Sequence, residues 1–415
     1  MPESSVASSL NGIAESYVKL ALAIGEHDSM YVDSYYGPAE WLAEAKQDKK
    51  PLAAIEKEAG LLIAELDRLD VSGEEEIVRL RHVYLMKELE SLAARAAMLD
   101  GKKCTFDEES QALYDAVAPH FEESHFKEVL ARIDSLVPSG EGSLADRLER
   151  FKKGLIIPKD RLDAVFSAAI AEARTRTRRH IDLPVNESFT VEYVTNKPWS
   201  AYNWYKGDNR SVIQVDTDFP TYIDSPLGLA CHEGYPGHHV QNVLFEQRLA
   251  KERGWVEFTV NPLFAPNSLI NEGSANFGVE VAFPGNERLV FERDVLFPMA
   301  GLDPARADAY YTIRTLLREL NRAEDQAARR YLDGEMTAEE AAQYISAYAL
   351  MSVERARKLV TFIDRYRSYI INYNVGYDLV KNYVEKLGGT PDHPEERWIY
   401  LNALLSSPRV PSGLK

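Results

Sequence analysis

Residues 231–239 read Cys-His-Glu-Gly-Tyr-Pro-Gly-His-His, so three of the nine histidines in 415 residues stand within eight positions, beside a glutamate. Imidazole nitrogens and carboxylates together are the donor set of a catalytic zinc site. A zincin helix carries His-Glu-x-x-His, in which two histidines one turn apart share the ion and the glutamate activates water. Here His232 and Glu233 are in place, but Pro236 occupies the second histidine's position. On a straight helix His232 and His238 would lie about 9 Å apart along the axis and about 240° apart around it. Metal binding by both therefore requires a broken helix, and Pro236-Gly237 is where it must break. His239 is the competing second ligand. At about 10 Å along a straight helix it ranks lower as a ligand and is expected to face the substrate and help stabilise an oxyanion.

A third ligand stands thirty-three residues beyond His239: Glu272, in Asn271-Glu272-Gly273-Ser274-Ala275-Asn276. This segment opens an apolar helical pattern, with Asn267 or Ser268 as the expected cap. Two histidines and one carboxylate leave a position open for water. The expected cofactor is one Zn²⁺ ion on His232, His238 and Glu272, with Glu233 as general base. Asn276, one turn after Glu272, is expected to support a ligand histidine through its amide. Tyr373 is the candidate oxyanion donor. Tyr377, Arg314 and Tyr202 are the candidate substrate contacts, with Arg314, Arg318 and Arg365 considered for a substrate carboxylate. Gly376, inside a helical pattern, suggests close approach of another element.

The elements that must hold these residues are mostly helical. Helical periods run through Leu10–Ile24, Pro51–Leu69, Glu74–Leu99 and Pro158–His180, the last ending in Arg174, Arg176, Arg178 and Arg179, where cations suit the helix dipole. The aromatic stretch Tyr31–Pro38 interrupts them, and Tyr35-Tyr36-Gly37-Pro38 at its end reads as a packed turn or a lid. Alternation then predicts strands over 189–194, 199–205 and 211–217, with Gly207-Asp208-Asn209 as a hairpin turn. Helical periods return over 306–332, 337–347 and 352–387. The expected fold is mainly α, a helical metallopeptidase-like fold with a small antiparallel sheet beside the metal-site helix. Pro138–Ser143 is the linker candidate, dividing an N-terminal helical region (1–140) from a catalytic region (141–415) within one continuous globular unit.

A formal charge of -17 argues against general nucleic-acid binding. No apolar run is long enough to span a bilayer, and Met1-Pro2-Glu3-Ser4-Ser5 lacks the basic start of a secretory signal. Two cysteines imply no disulfide framework. The expected location is the cytoplasm, and the oligomeric state is left open.

The string His232-Glu233-Gly234-Tyr235-Pro236-Gly237-His238-His239-Val240-Gln241 resembles the signature of the domain of unknown function 885 family, which is similar to helical zinc metallopeptidases of the glutamate-zincin type. Glu272-Gly273 resembles that family's downstream Glu-Gly motif, and Tyr373-x-x-Gly376 its C-terminal Tyr-x-x-Gly. Gly234 and Val240 stand where alanine and leucine are usual. The likeness covers roughly residues 150–390 and implies a helical peptidase-like fold with a metal site. The expected activity is hydrolysis of short peptides or small amides. The alternatives are a metal-dependent enzyme acting on a non-peptide small molecule, or a non-catalytic binding protein on the same scaffold.

Overall fold

A computed structural model describes residues 5–415. Met1–Ser4, from which most of the signal-peptide reading comes, lie outside the described residues. The chain is mainly helical, 65% helix and 7% strand. Nine helices carry the argument: α1 (Ser5–Gly25), α2 (Glu76–Leu99), α3 (Leu162–Thr177), α4 (His238–Leu244), α5 (Pro266–Ala282), α6 (Ala307–Leu320), α7 (Arg322–Leu332), α8 (Val353–Tyr366) and α9 (Ile371–Lys386).

Two small sheets brace the helices. One pairs β1 (Val32–Tyr35) antiparallel with β5 (Val260–Pro262). The first part of the aromatic stretch is thus a strand, whose partner lies more than two hundred residues away, while Tyr36, Gly37 and Pro38 form a packed bend beyond its end, with the Tyr36 hydroxyl on the Phe258 carbonyl. The other sheet has the order β2-β4-β3, from β2 (Ser188–Val194), β3 (Ala201–Tyr205) and β4 (Arg210–Asp216). The β3–β4 hairpin is antiparallel, as its turn residues predict. Asp208 and Asn209 both adopt positive φ, as does Gly207. β2 joins the far side of β4 in parallel, because the 195–200 connection passes over the end of β4. One face of β4 is buried through Ser211, Ile213 and Val215, and Asn203 and Tyr205 of β3 are buried with it.

Two patterns that read as continuous in sequence are broken. Residues 306–332 divide at Asn321 into α6 and α7. Residues 352–387 divide at Arg367, which takes φ 54, and a 3₁₀ turn over Arg367–Ile370 leads into α9. The cap of α5 also differs from expectation. Ala265 is the N-cap residue and Pro266 the first helical residue, while the Asn267 N–H donates to the Glu88 carboxylate of α2. An acid on a neighbouring helix thereby meets the positive end of the helix that carries Glu272.

The largest apolar core joins the N-terminal helices to Leu269 and to residues 313–371. A second core lies among α3, β4, the histidine segment, α5 and α9. Leu148, beyond the Pro138–Ser143 segment, belongs to the first core together with Leu10 and Phe126, so that segment does not separate the cores. Among the described residues no helix is long and apolar enough to cross a membrane.

Candidate metal centre

The histidine segment folds as a helix, a break and a second helix. Ser225–Leu229 is α-helical, and the following turn, Ala230–Gly234, widens to π geometry. The Tyr235 N–H reaches the Ala230 carbonyl, and the Gly237 N–H reaches the Cys231 carbonyl, at 2.9 Å each. A side chain at Gly237 would place Cβ 1.8 Å from the His232 carbonyl oxygen, so only glycine fits this close return of the chain. His238 then opens α4 with its ring edge-on to His232, the ring centres 4.7 Å apart.

The break brings together what a straight helix would hold apart. His238 Nε2 lies 3.1 Å from His232 Nε2. Glu272 Oε2 lies 3.2 Å from His232 Nε2 and 3.7 Å from His238 Nε2. Three ligands around one tetrahedral zinc, with bonds near 2.0–2.1 Å, stand about 3.3 Å apart. Glu272 Oε2 is buried and makes no hydrogen bond of acceptable geometry. An orphaned carboxylate oxygen facing two imidazole nitrogens is costly as a purely structural arrangement. The donor set fits a divalent cation.

Neighbouring groups orient two of the three ligands. The Asn276 Nδ2 donates to the Tyr373 carbonyl at 3.1 Å, which turns its Oδ1 toward His232 Nδ1, also at 3.1 Å. A neutral His232 therefore carries its hydrogen on Nδ1 and leaves the Nε2 lone pair at the cluster. Tyr369 donates to Glu272 Oε1 at 2.7 Å. Without a cation the cluster is suited to hold a proton. Burial lowers the His232 pKa, but Glu272 and Glu233 outweigh it and push the group up to about 9. Burial likewise opposes the charged form of Glu272, yet His238 and His232 hold its carboxyl well below the usual range.

Glu233 Oε1 stands 3.9 Å from His232 Nε2. Burial raises its carboxyl above the ordinary range, as expected of a poised general base. The Glu233 carbonyl is held by Asn203 Nδ2 at 2.7 Å. A cavity of about 990 Å³ opens over the cluster, lined by His232, Glu233, His238, Glu272 and Tyr373 and by β3 residues. The Tyr373 side chain makes no hydrogen bond to any described residue. Burial, with Glu272 and Glu233 adding to it, holds its phenol protonated.

His239 does not face the cavity. It is fully buried, with Nδ1 2.8 Å from Ser211 Oγ and Nε2 3.1 Å from Glu187 Oε2. Adjacent helical residues diverge by about 100°, so with His238 on the cluster His239 turns into the sheet. The other expected contacts line the cavity but are already engaged. Tyr202 donates to Asp33, Arg314 to Asp224 at 2.7 Å, and Tyr377 to Glu280 at 2.6 Å. Arg318, also on the cavity wall, binds Glu280, whereas Arg365 lies outside the cavity and meets the Met30 sulfur.

Sequence reading missed four supporting residues: Glu187, Asn203, Tyr369 and Asp33. Glu187 takes Tyr235 from before the break, His239 from after it, and Arg174 and Arg178 from the end of α3 and just beyond it. The clustered arginines were the available signal, since they called for an acid as well as a helix dipole. Asp33 enters the cavity wall from β1, where burial pushes its carboxyl up to about 6. No local motif marks Asp33.

No family model and no curated protein matches the chain. Solved structures similar to it include that of a protein of Colwellia psychrerythraea described as a candidate lipoprotein. It is 16% identical with a TM-score of 0.50, over 88% of this chain and 71% of that one. A protein described as BsuCP is 11% identical with a TM-score of 0.48, over 95% and 90% of the two chains. A Shewanella oneidensis protein of unknown function, also described as a candidate lipoprotein, is 13% identical with a TM-score of 0.41, over 95% and 87%. At 16% identity the likeness to the Colwellia psychrerythraea protein concerns fold alone.

Proposed function

We propose that this chain is a zinc-dependent hydrolase of amide bonds that acts on short peptides, akin to the domain of unknown function 885 family and to glutamate-type zinc peptidases. The observation that carries this reading is the convergence of His232 Nε2, His238 Nε2 and the orphaned Glu272 Oε2 beside Glu233. His232, His238 and Glu272 would hold the ion, which when bound supplies Lewis acidity toward a carbonyl and a water.

The chain's own groups do the rest. Glu233, ionised in the working state, takes a proton from the attacking water and returns it to the leaving amine. Tyr373, kept protonated by its surroundings, donates to the oxygen on which charge develops. The register of β3 with β4 leaves the backbone groups of Ala201 and Asn203 pointing away from β4 along the sheet edge. They stand where an extended peptide can pair with them. Helical walls and a cavity of about 990 Å³ favour short substrates. With both cysteines free, the cytoplasm is part of the same proposal.

Glu233→Gln tests the reading. The variant should keep stoichiometric zinc by elemental analysis while cleavage of a peptide library falls by about 10²–10⁴-fold. Turnover that survives the substitution sinks the mechanism. An unsubstituted protein that binds no metal after zinc loading sinks the metal centre.

A further inference from the structure

The cations lining the cavity are almost all spoken for. Arg288, Arg314, Arg318, Arg322, Lys358 and Lys381 each face a carboxylate. Arg355 lines the same cavity and has no carboxylate partner among the described residues. It stands in the first turn of α8, where its backbone N–H is capped by Ser352. Its guanidinium lies over the Phe219 ring at 4.6 Å and near the Tyr222 ring at 5.5 Å. One Nη2–H donates to the Pro220 carbonyl at 3.1 Å. The plane is thus held by two aromatic faces and one hydrogen bond, with the remaining N–H groups unspent.

The local field points the same way. Lys152 also lies over the Tyr222 ring, at 4.3 Å, and its ammonium is pushed down by burial and by Arg355, against the pull of Asp224 and Glu149. The nearby acid Glu149 accepts the Tyr222 hydroxyl at 3.3 Å, and Asp216 and Asp218 are taken by Lys358. A held, unpaired guanidinium in a cavity binds carboxylates through parallel N–H···O bonds, and its ordering cost is already met by the aromatic faces.

We propose that Arg355 is the receptor for a carboxylate on the substrate, so that the cavity selects acidic or free-acid peptides. The catalytic arm of the test rests on the hydrolase reading above; the binding arm does not. NMR titration would compare N-acetylglycine, N-acetylglycinamide and the α-amide of N-acetylaspartate. These carry a terminal carboxylate, no carboxylate and a side-chain carboxylate. At least one acid should bind about tenfold tighter than the neutral amide, the span of a charge-assisted pair, and the tighter acid identifies the carboxylate's source. In Arg355→Gln that preference should collapse. Arg355→Lys, which keeps charge without the fork, should retain only part of it, and it decides the matter if the glutamine variant fails to fold by circular dichroism. No preference in the unsubstituted protein, or a preference unchanged in the folded variants, overturns the proposal. In the catalytic arm, the ratio of KM for a tripeptide amide to that for the free acid should follow the same order. Intact acid binding with no hydrolysis of any peptide would refute the hydrolase reading and leave Arg355 standing.

Discussion

Asn276 does more for the candidate metal centre than its neutral side chain suggests. Its amide is fixed at both ends, by the Tyr373 carbonyl and by His232 Nδ1. That fixes which imidazole nitrogen carries hydrogen and ties the ligand helix to the helix that offers Tyr373. Removing such a support costs metal affinity rather than fold. Asn276→Ala should weaken zinc binding by about 10–100-fold, read by competition with a chelator of known affinity. Asn276→Asp, which keeps the acceptor, should recover most of it. Affinity unchanged in the alanine variant would mean that His232 is oriented by its surroundings alone. At this scale the sequence was informative where spacing alone carried the meaning. His232, Glu233, His238, Glu272 and Asn276 could all be named from their positions. It misled at His239, where the residue type suggested chemistry and only the 100° turn between helical neighbours reveals its burial. It was silent on Asp33, a single acid whose partners Tyr202 and Asn261 are distant in sequence, and offered only the clustered arginines as a sign of Glu187.

Among the elements, the α5–α9 crossing fixes the site's dimensions. A Cβ on Gly273 would lie 2.2 Å from the Gly376 carbonyl oxygen, and one on Gly376 would lie 2.3 Å from the Leu269 carbonyl oxygen. The two helices meet backbone to backbone, which brings Tyr369 to Glu272 and Tyr373 to Asn276. Gly273→Ala must force them apart. A loss of about 3 kcal/mol or more is expected in urea denaturation, with zinc content reduced beyond what Asn276→Ala causes. A variant with normal stability and metal content would show that the crossing is not what sets the ligand geometry. Gly376 announced this contact, because glycine inside a helical pattern asks for a reason. The Pro236-Gly237 break was equally plain, since the metal reading fails without it. The breaks at Arg367 and Asn321 were not legible: the hydrophobic period continues through both, and the chain turns to meet partners far away in sequence. The same holds for β1, whose pairing with β5 has no local signature, and for the Glu88 contact at the start of α5.

Across the whole molecule, buried acids set an unusual dependence of stability on pH. Burial pushes the carboxyls of Glu88, Glu292 and Asp325 up to about 7. Tyr17 and the Asn267 N–H partly offset the rise at Glu88. A carboxyl whose folded pKa exceeds its unfolded one binds its proton more tightly when folded. Its contribution to stability is then complete below the unfolded value, near 4.5 for glutamate, and is lost as pH rises through the folded value. At about 1.4 kcal/mol for each pH unit between the unfolded and folded values, Glu88 alone would withdraw on the order of 3 kcal/mol between pH 5 and pH 8. Asp224 works in the opposite sense. Burial opposes its charge, but Arg314 and Arg288 hold it down to about 2. Its contribution is present above the unfolded value, near 3.8, and is lost as pH falls toward 2. Maximum stability is therefore expected near pH 5, with a decline toward pH 8 to which the net charge of -17 adds by self-repulsion. Denaturant titrations of the metal-free protein at unit pH steps measure the curve. Glu88→Gln should flatten its alkaline limb by about the amount assigned to Glu88, while leaving the acid limb governed by Asp224 in place. A variant whose stability falls between pH 5 and pH 8 as steeply as that of the unsubstituted protein would show that Glu88 stays ionised in the fold, with Tyr17 and the α5 terminus stabilising its charge against burial.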